Sequence, residues 1–106
     1  MPPPTGDQLL AMLAALASPH RLRIIAALQT GGRNYISALA RELGISRPLL
    51  HLHLAKLEES GLVVSQLELS ADGKALNYFE AAPFAIDLTP EAIARAAPSL
   101  TSKPET

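Results

Sequence analysis

Two histidines separated by one residue are the first candidates for chemistry in this sequence. They lie in the run SRPLLHLHLAKL (residues 46–57), where apolar residues and imidazoles alternate. On a β-strand both rings would point to one side, as a metal site needs, whereas on an α-helix they point about 200° apart. The chemistry open to His51 and His53 therefore depends on the conformation of this segment.

The residues around the two histidines favour a helix. Ser46 can cap the first turn, Pro48 is tolerated in that turn, and the run contains no β-branched residue. Leucines at positions 50, 54 and 57 recur at helical spacing and predict a buried stripe. The two histidines then point apart, so we expect no metal pair within one chain.

The rest of the composition argues against catalysis. The chain has no cysteine, which excludes disulfides, thiolate zinc sites and cysteine nucleophiles. Asp87 and Glu91 near the last helix have no histidine beside them. No glycine-rich phosphate loop, nucleophile–base pairing or metal-ligand spacing is present. We therefore expect neither an enzyme nor a bound cofactor or metal.

Charge is distributed unevenly along the 106 residues. Residues 1–56 carry a net charge of +4 and residues 57–106 carry −5, although the whole chain has a net charge of only −1. Such asymmetry indicates one face built for a polyanion on an otherwise acidic molecule.

The apolar run LLAMLAALA (residues 9–17) has some features of a secretion signal. It is short, no lysine or arginine precedes it, and Asp7 stands where a signal peptide has positive charge. We interpret it as a folded helix, apolar on more than one face, which predicts a subunit interface. No run reaches the length needed to cross a bilayer, so we expect a cytoplasmic protein with no membrane partner.

The residues that mark helix starts, helix ends and turns predict one domain. Proline follows serine or threonine at residues 18–19 and 89–90, which marks two helix starts, and Gly31-Gly32 ends a helix. Ser37 can cap a short helix, and Asp72-Gly73 predicts a hairpin turn. The expected organisation is a disordered N-terminus (1–6), a folded domain (7–98) and a disordered C-terminal tail (99–106), with helices at 7–17, 19–30, 38–43, 46–60 and 90–97 and a hairpin at 62–82.

Three residues point to a specific arrangement of the two middle helices. Ala40 is small enough for two helix backbones to approach, Gly44 can adopt the positive φ of a sharp turn, and Leu50 can point back into the pair. This pattern is typical of the helix-turn-helix, whose second helix can lie in the DNA major groove. The predicted fold class is mainly α with a small β-hairpin, in the order α-α-α-α-β-β-α.

Three stretches of the chain together resemble the ArsR-type winged helix-turn-helix transcriptional regulators. They are LASPHRLRIIAAL, ISALARELGISRPLLHLHLAKLEESGLV and the hairpin LELSADGKALNYFEA, and the resemblance extends over about residues 8–95. It implies a homodimer that binds double-stranded DNA at a pseudo-palindromic operator, with half-sites about 10 bp apart. Such a regulator would be associated with the nucleoid.

The resemblance also implies site residues. Arg47 would read a guanine or contact phosphate, and Ser46 would cap the helix or contact phosphate. Lys74 at the hairpin tip would reach the minor groove or the backbone, or would bind nothing. The full implied DNA-binding set is Ser46, Arg47, Pro48, Leu49, His51, Leu52, Lys56, Lys74 and Arg21. The implied dimerisation set is Leu9, Leu10, Met12, Leu13, Leu16 and Ile93.

One departure from the family leaves an alternative open. Many relatives have threonine, serine and arginine in the groove-facing turns, where this chain has Leu49, His51 and Leu52. An outward leucine could contact a thymine methyl group, but it could equally belong to a surface that binds protein. A winged-helix module that binds protein instead of DNA is therefore the second hypothesis.

Overall fold

Five α-helices and a three-stranded antiparallel sheet form residues 2–102, the part of the chain that the computed structural model describes. Two of the strands form a hairpin, so the predicted winged helix-turn-helix fold is confirmed. In chain order, the elements are α1 (Gly6–Leu16), α2 (Pro19–Gly31), β1 (Asn34–Tyr35), α3 (Ile36–Leu43), α4 (Arg47–Glu59), β2 (Val63–Leu69), β3 (Ala75–Ala81) and α5 (Pro90–Ala96), followed by a 3-10 turn (Ala97–Ser99).

Side-chain caps fix most of the helix starts. The hydroxyl groups of Thr5, Ser18, Ser46 and Thr89 each accept a hydrogen bond from a backbone N–H in the first turn of α1, α2, α4 and α5, respectively. Proline lies in the first turn of the last three of these helices, where its missing N–H costs no helical hydrogen bond.

The start of α3 differs from the prediction. Ser37 does not cap this helix, which begins at Ile36 after Tyr35 and has no side-chain cap. The reason is β1, which the sequence analysis did not predict: Asn34 and Tyr35 pair with Phe79 and Tyr78 of β3. Because this pairing keeps the backbone extended up to Tyr35, the sheet sets the helix start.

The hydrophobic core lies along one side of α4, between this helix and α2, α3 and the sheet. Leu50, Leu54 and Leu57 of α4 are almost fully buried, so the predicted inner stripe is confirmed. Around them the largest fully buried side chains come from three other elements and the α4–β2 turn. They are Ile24, Leu39, Leu62 and Val63, and Phe79 of β3 closes the cluster.

The two ends of the described chain pack against each other. The sequence predicts disorder over 1–6 and 99–106, but Thr5 caps α1, and Ser99 Oγ accepts a hydrogen bond from the Gly6 N–H at 2.8 Å. Thr101 donates through its N–H and its hydroxyl to the Asp7 carboxylate, which lowers the pKa of Asp7. These contacts join residues more than 90 positions apart, which local sequence patterns do not reveal. Met1 and residues 103–106 lie outside the described residues.

Within residues 2–102 no single helix is long and apolar enough to cross a membrane. In that part of the chain, only α1 and α2 taken together have that length and apolar character, and they meet at a bend of 91°.

The close packing at Gly6 gives the first prediction. A Cβ at this position would lie 2.6 Å from the Ala96 carbonyl oxygen and 2.7 Å from Leu100 Cγ. We expect Gly6→Ala to lower the free energy of unfolding by roughly 1–3 kcal/mol because the backbone must shift. Gly31→Ala is the control, because nothing lies within 4 Å of the added Cβ. Urea unfolding of both variants is the measurement, and equal stabilities would contradict the packing.

Candidate nucleic-acid interface

A sharp turn sets α4 against α3. Gly44 adopts the left-handed conformation at φ +68° and ψ 30°, and the Ile45 N–H donates to the Ala40 carbonyl at 3.1 Å. Ala40 and Leu50 are buried between the two helices. The three positions that predict a helix-turn-helix thus have the conformations and burial that the motif needs.

The first turn of α4 orients its outward side chains. Ser46 Oγ accepts a hydrogen bond from the Leu49 N–H at 3.3 Å, so the serine serves as the cap. Leu49 itself is half-buried and presents less surface than the sequence suggests. The predicted residues of α4 that are exposed are Arg47, Pro48, His51, Leu52 and Lys56.

The cations on α4 are free of carboxylates. Among residues 2–102 the ion pairs are Arg33–Glu68, Lys74–Asp72 and Arg95–Asp87, and none of them involves Arg47 or Lys56. Both side chains can therefore accept an external anion without giving up an internal partner. Arg21 is half-buried on α2 and lines a groove of about 490 Å³ with Lys56 and Glu59 of α4 and with Ser60, which follows α4.

The hairpin of β2 and β3, with its flanks (residues 62–82), is called the wing below. Its turn is closed by Gly73 at φ +83° and by Ser70, whose hydroxyl oxygen accepts from the Lys74 N–H at 3.1 Å. Lys74 is exposed at the tip, as predicted, but its Nζ lies 4.0 Å from an Asp72 carboxylate oxygen. Part of its charge is therefore already balanced.

An arginine secures the wing to the body of the domain. Arg33, just before β1, forms two hydrogen bonds with the Glu68 carboxylate, of which the bond from Nη2 to Oε2 measures 2.8 Å. Its guanidinium lies 4.6 Å from the centre of the Tyr78 ring. The hydrogen bond from Arg33 lowers the pKa of Glu68. Arg33 belongs to the basic half of the sequence, but this pairing engages it internally.

Two features of the surface were not predicted. Leu67 and Leu69 of β2 are 68% and 77% exposed, because the strand extends beyond the core that buries Val63 on the same face. The alternation of leucines in LELS is a signal that could have revealed them. The second feature is that His20 of α2 and His53 of α4 lie with their ring centroids 5.2 Å apart.

The described residues provide no metal centre of ordinary composition. Within residues 2–102, no three histidine, aspartate or glutamate side chains lie close enough together to hold an ion. His51 is exposed on the outer face of α4 and His53 is directed towards α2, as expected for two histidines on a helix.

The residues predicted for dimerisation differ in exposure. Leu10 of α1 is 54% exposed and Ile93 of α5 is 47% exposed, so both can meet a partner. Leu9 is only 6% exposed and offers almost no surface. Met12, Leu13 and Leu16 are half-buried, and the first and last of these pack against the core of their own chain.

Comparison with known sequences finds matches to the middle of the chain. A family model described as "Helix-turn-helix domain" matches residues 16–66. An uncharacterized HTH-type transcriptional regulator of Methanocaldococcus jannaschii is 46% identical over 55 residues, which is 52% of this chain and 57% of the relative. The chain thus matches little more than half the length of that curated relative.

Comparison with solved structures covers more of the chain. The homodimeric winged helix-turn-helix DNA-binding domain of a possible ArsR-family transcriptional regulator from Mycobacterium bovis superposes with a TM-score of 0.63 and 27% identity, over 84% of this chain and 70% of that one. NolR from Sinorhizobium fredii superposes with a TM-score of 0.60 over 92% of both chains. At 23% identity, NolR supports the fold alone.

The Arg33–Glu68 pair gives the second prediction. We expect Arg33→Gln to speed amide hydrogen exchange in β2, because Glu68 of β2 loses its side-chain contact with the residue that precedes β1. The change should be less than about tenfold, since solvent screens an exposed pair. Arg41→Gln is the control, because Arg41 is exposed on α3 and takes part in no ion pair among the described residues. Equal exchange in the two variants would remove Arg33 as the anchor.

Proposed function

We propose that this winged helix-turn-helix chain is a transcriptional regulator of the ArsR type that binds double-stranded DNA as a homodimer. In this proposal α4 is the recognition helix and lies in the major groove, while the wing lies on the flanking backbone or minor groove. The observation that carries it is the outer face of α4, which presents Arg47, His51 and Lys56 on a capped and rigidly buried helix.

The residues of α4 have distinct roles in this proposal. Arg47 lies in the first turn, where its guanidinium can donate two hydrogen bonds to guanine O6 and N7. His51 donates to a base or phosphate one turn later, and Leu52 contacts a thymine methyl group. Ser46 fixes the helix start, and Pro48 and Leu49 pack along the groove wall.

The remaining cations contact the phosphate backbone. Lys56 and Arg21 line one groove at the far end of α4, where bases are out of reach and phosphates are not. Lys74 reaches the minor groove or backbone from the wing tip. Because few cations face the DNA, affinity should be modest and should fall steeply with salt.

The dimer is proposed to form through α1 and α5. Leu10 and Ile93 are large apolar side chains exposed on these helices, while Leu13 and Leu16 of α1 contribute their accessible edges. The solved Mycobacterium bovis domain is homodimeric, which supports a homodimer here. Two recognition helices would then read a pseudo-palindromic operator with half-sites about 10 bp apart. The protein would act in the cytoplasm, at the nucleoid, and without catalysis.

A second candidate function is favoured by the exposed leucines. Leu52 on α4 and Leu67 and Leu69 on the wing give the surface an apolar character that suits a protein partner. Such a module would use the same outer face to bind protein and would not bind DNA.

Selection of bound fragments from a random DNA pool, followed by gel-shift titration at two salt concentrations, separates the two functions. A DNA-binding dimer should enrich a symmetric site and lose affinity linearly on a log–log salt plot, with a slope of about −0.9 per phosphate contacted. A protein-binding module should retain no fragment at either salt concentration.

The position of Arg47 gives the third prediction. Arg47→Ala should weaken binding to the selected site by roughly 10- to 100-fold and leave binding to random DNA nearly unchanged. Lys74→Ala provides the contrast: it should weaken both alike and reduce the salt slope by about one. Fluorescence anisotropy on both DNAs is the measurement. Equal losses for Arg47→Ala on the two DNAs would assign Arg47 to phosphate.

The exposed side of α1 gives the fourth prediction. Leu10→Gln should shift the protein from dimer to monomer in sedimentation equilibrium, because it places an amide in an apolar interface. Leu22→Gln is a matched control, since Leu22 has nearly the same exposure, 55% against 54%, but lies on α2. If Leu10→Gln keeps the dimer mass, or if both variants dissociate alike, the α1–α5 interface is wrong.

A further inference from the structure

A histidine connects the recognition helix to α2. His53 is half-buried on the side of α4 that faces α2, where its ring stacks on His20 with centroids 5.2 Å apart and planes inclined by 36°. Leu50, Leu54 and Leu57 hold the neighbouring stripe of α4 in the core. The contact between α2 and α4 therefore combines apolar packing with a polar cluster at its edge.

The cluster contains two nitrogen atoms that are inaccessible to solvent and have no partner. They are His53 Nε2 and Arg21 Nε, and neither makes a hydrogen bond within residues 2–102. None of His20, Arg21 and His53 has a carboxylate within ion-pair distance in that part of the chain. A positive charge added to His53 would therefore have no direct ion-pair partner among these residues.

Burial and the neighbouring side chains of α2 disfavour the protonation of His53. From α2 it faces His20 and Arg21, and the adjacent groove adds Lys56 and Glu59 of α4, while the residues of α1 that line this groove are alanines 11, 14 and 15. Burial, followed by the charges of Arg21 and His20, lowers the pKa of His53 below its ordinary value of 6.5. The folded contact consequently selects the neutral imidazole.

We propose that His53 is a positioning residue of the recognition helix, which it seats against α2 as a neutral ring and releases when it is protonated. The direction of the pH dependence follows from the linkage between proton binding by His53 and the contact of α4 with α2. When α4 is loosened from α2, His53 has its ordinary affinity for protons, so acidification stabilises the loosened state and weakens the seated one. The contact is intact above about pH 6.5 and is progressively lost below it.

The consequence for DNA binding rests on the proposed function. Base contacts from α4 tolerate little displacement, so a loosened helix should bind its operator less well at acidic pH. Ordinary electrostatics predicts the opposite, because acidification makes the protein more positive and so favours its binding to phosphates. A loss of affinity on acidification therefore distinguishes the positioning role from a general charge effect.

The experiment compares His53→Gln with His51→Gln, which changes an exposed histidine on the same helix. Thermal unfolding and binding to the selected DNA are measured between about pH 7.5 and pH 5.5. Wild type and His51→Gln should lose stability across this range, whereas His53→Gln should not. Binding is compared between wild type and His53→Gln alone, because His51 belongs to the proposed DNA interface. Wild type should lose affinity by up to about tenfold across this range, and His53→Gln should lose none. A pH dependence in His53→Gln equal to that of wild type would overturn the proposal.

An NMR titration of the wild-type imidazoles keeps the test decisive if His53→Gln fails to fold. His53 should titrate below its ordinary pKa of 6.5, and its transition should coincide with loss of contacts between α2 and α4. His20→Gln should raise the midpoint of His53. A midpoint for His53 at or above 6.5, or α2–α4 contacts unchanged through its titration, would overturn the proposal. This readout needs no DNA, so it stands apart from any failure of the proposed function.

Discussion

The burial of one face of α4 is the constraint on which the other features of this domain depend. Leu50, Leu54 and Leu57 are almost fully buried, and together they contribute several kcal/mol of hydrophobic stabilisation, at about 1.5–3 kcal/mol for each large side chain. Because these three positions occupy the inner side, the orientation of every other side chain on α4 follows from helical geometry. The core therefore determines which residues of α4 form its outer face. The DNA interface that we propose is rigid because the leucines on the opposite side of the helix are buried.

The acidic half of the chain places two carboxylates, Glu58 and Glu59, at the C-terminal end of α4, and three others pair with cations elsewhere. Glu68 pairs with Arg33, Asp72 lies beside Lys74 and Asp87 lies beside Arg95, so each pairs with a cation outside the recognition helix. These exposed pairs contribute little to stability, but they neutralise charge that would otherwise repel a polyanion. The Arg33–Glu68 contact both holds the wing in place and neutralises part of its negative charge.

Much of this fold could be predicted because its signals are local. Ser18, Ser46 and Thr89 precede prolines, and the leucines of α4 recur at helical spacing, so helix starts and the buried stripe follow from neighbouring residues. The features that were missed depend on distant residues. Strand β1 is only two residues long and exists because β3 pairs with it, and the His20–His53 contact requires α2 and α4 to be packed first.

The candidate site was predictable to the same degree. Exposure of Arg47, His51 and Lys56 follows from the helical period once the inner stripe is assigned. The half-burial of Leu49, the burial of Leu9 within its own chain and the internal pairing of Arg33 were not predictable, because each depends on what another element places nearby. Sequence periodicity gives the direction of a side chain, whereas its availability depends on tertiary packing.

The contacts of Gly6 with Ser99 and of Asp7 with Thr101 bring the first and last segments of the domain side by side. A domain closed in this way is suited to circular permutation, with a short linker across the joined termini and new ends at the exposed turn of the hairpin. The same closure means that a fused protein, whichever end carries it, would emerge beside α1 and α5. Attachment at the hairpin turn would leave that side of the molecule unobstructed.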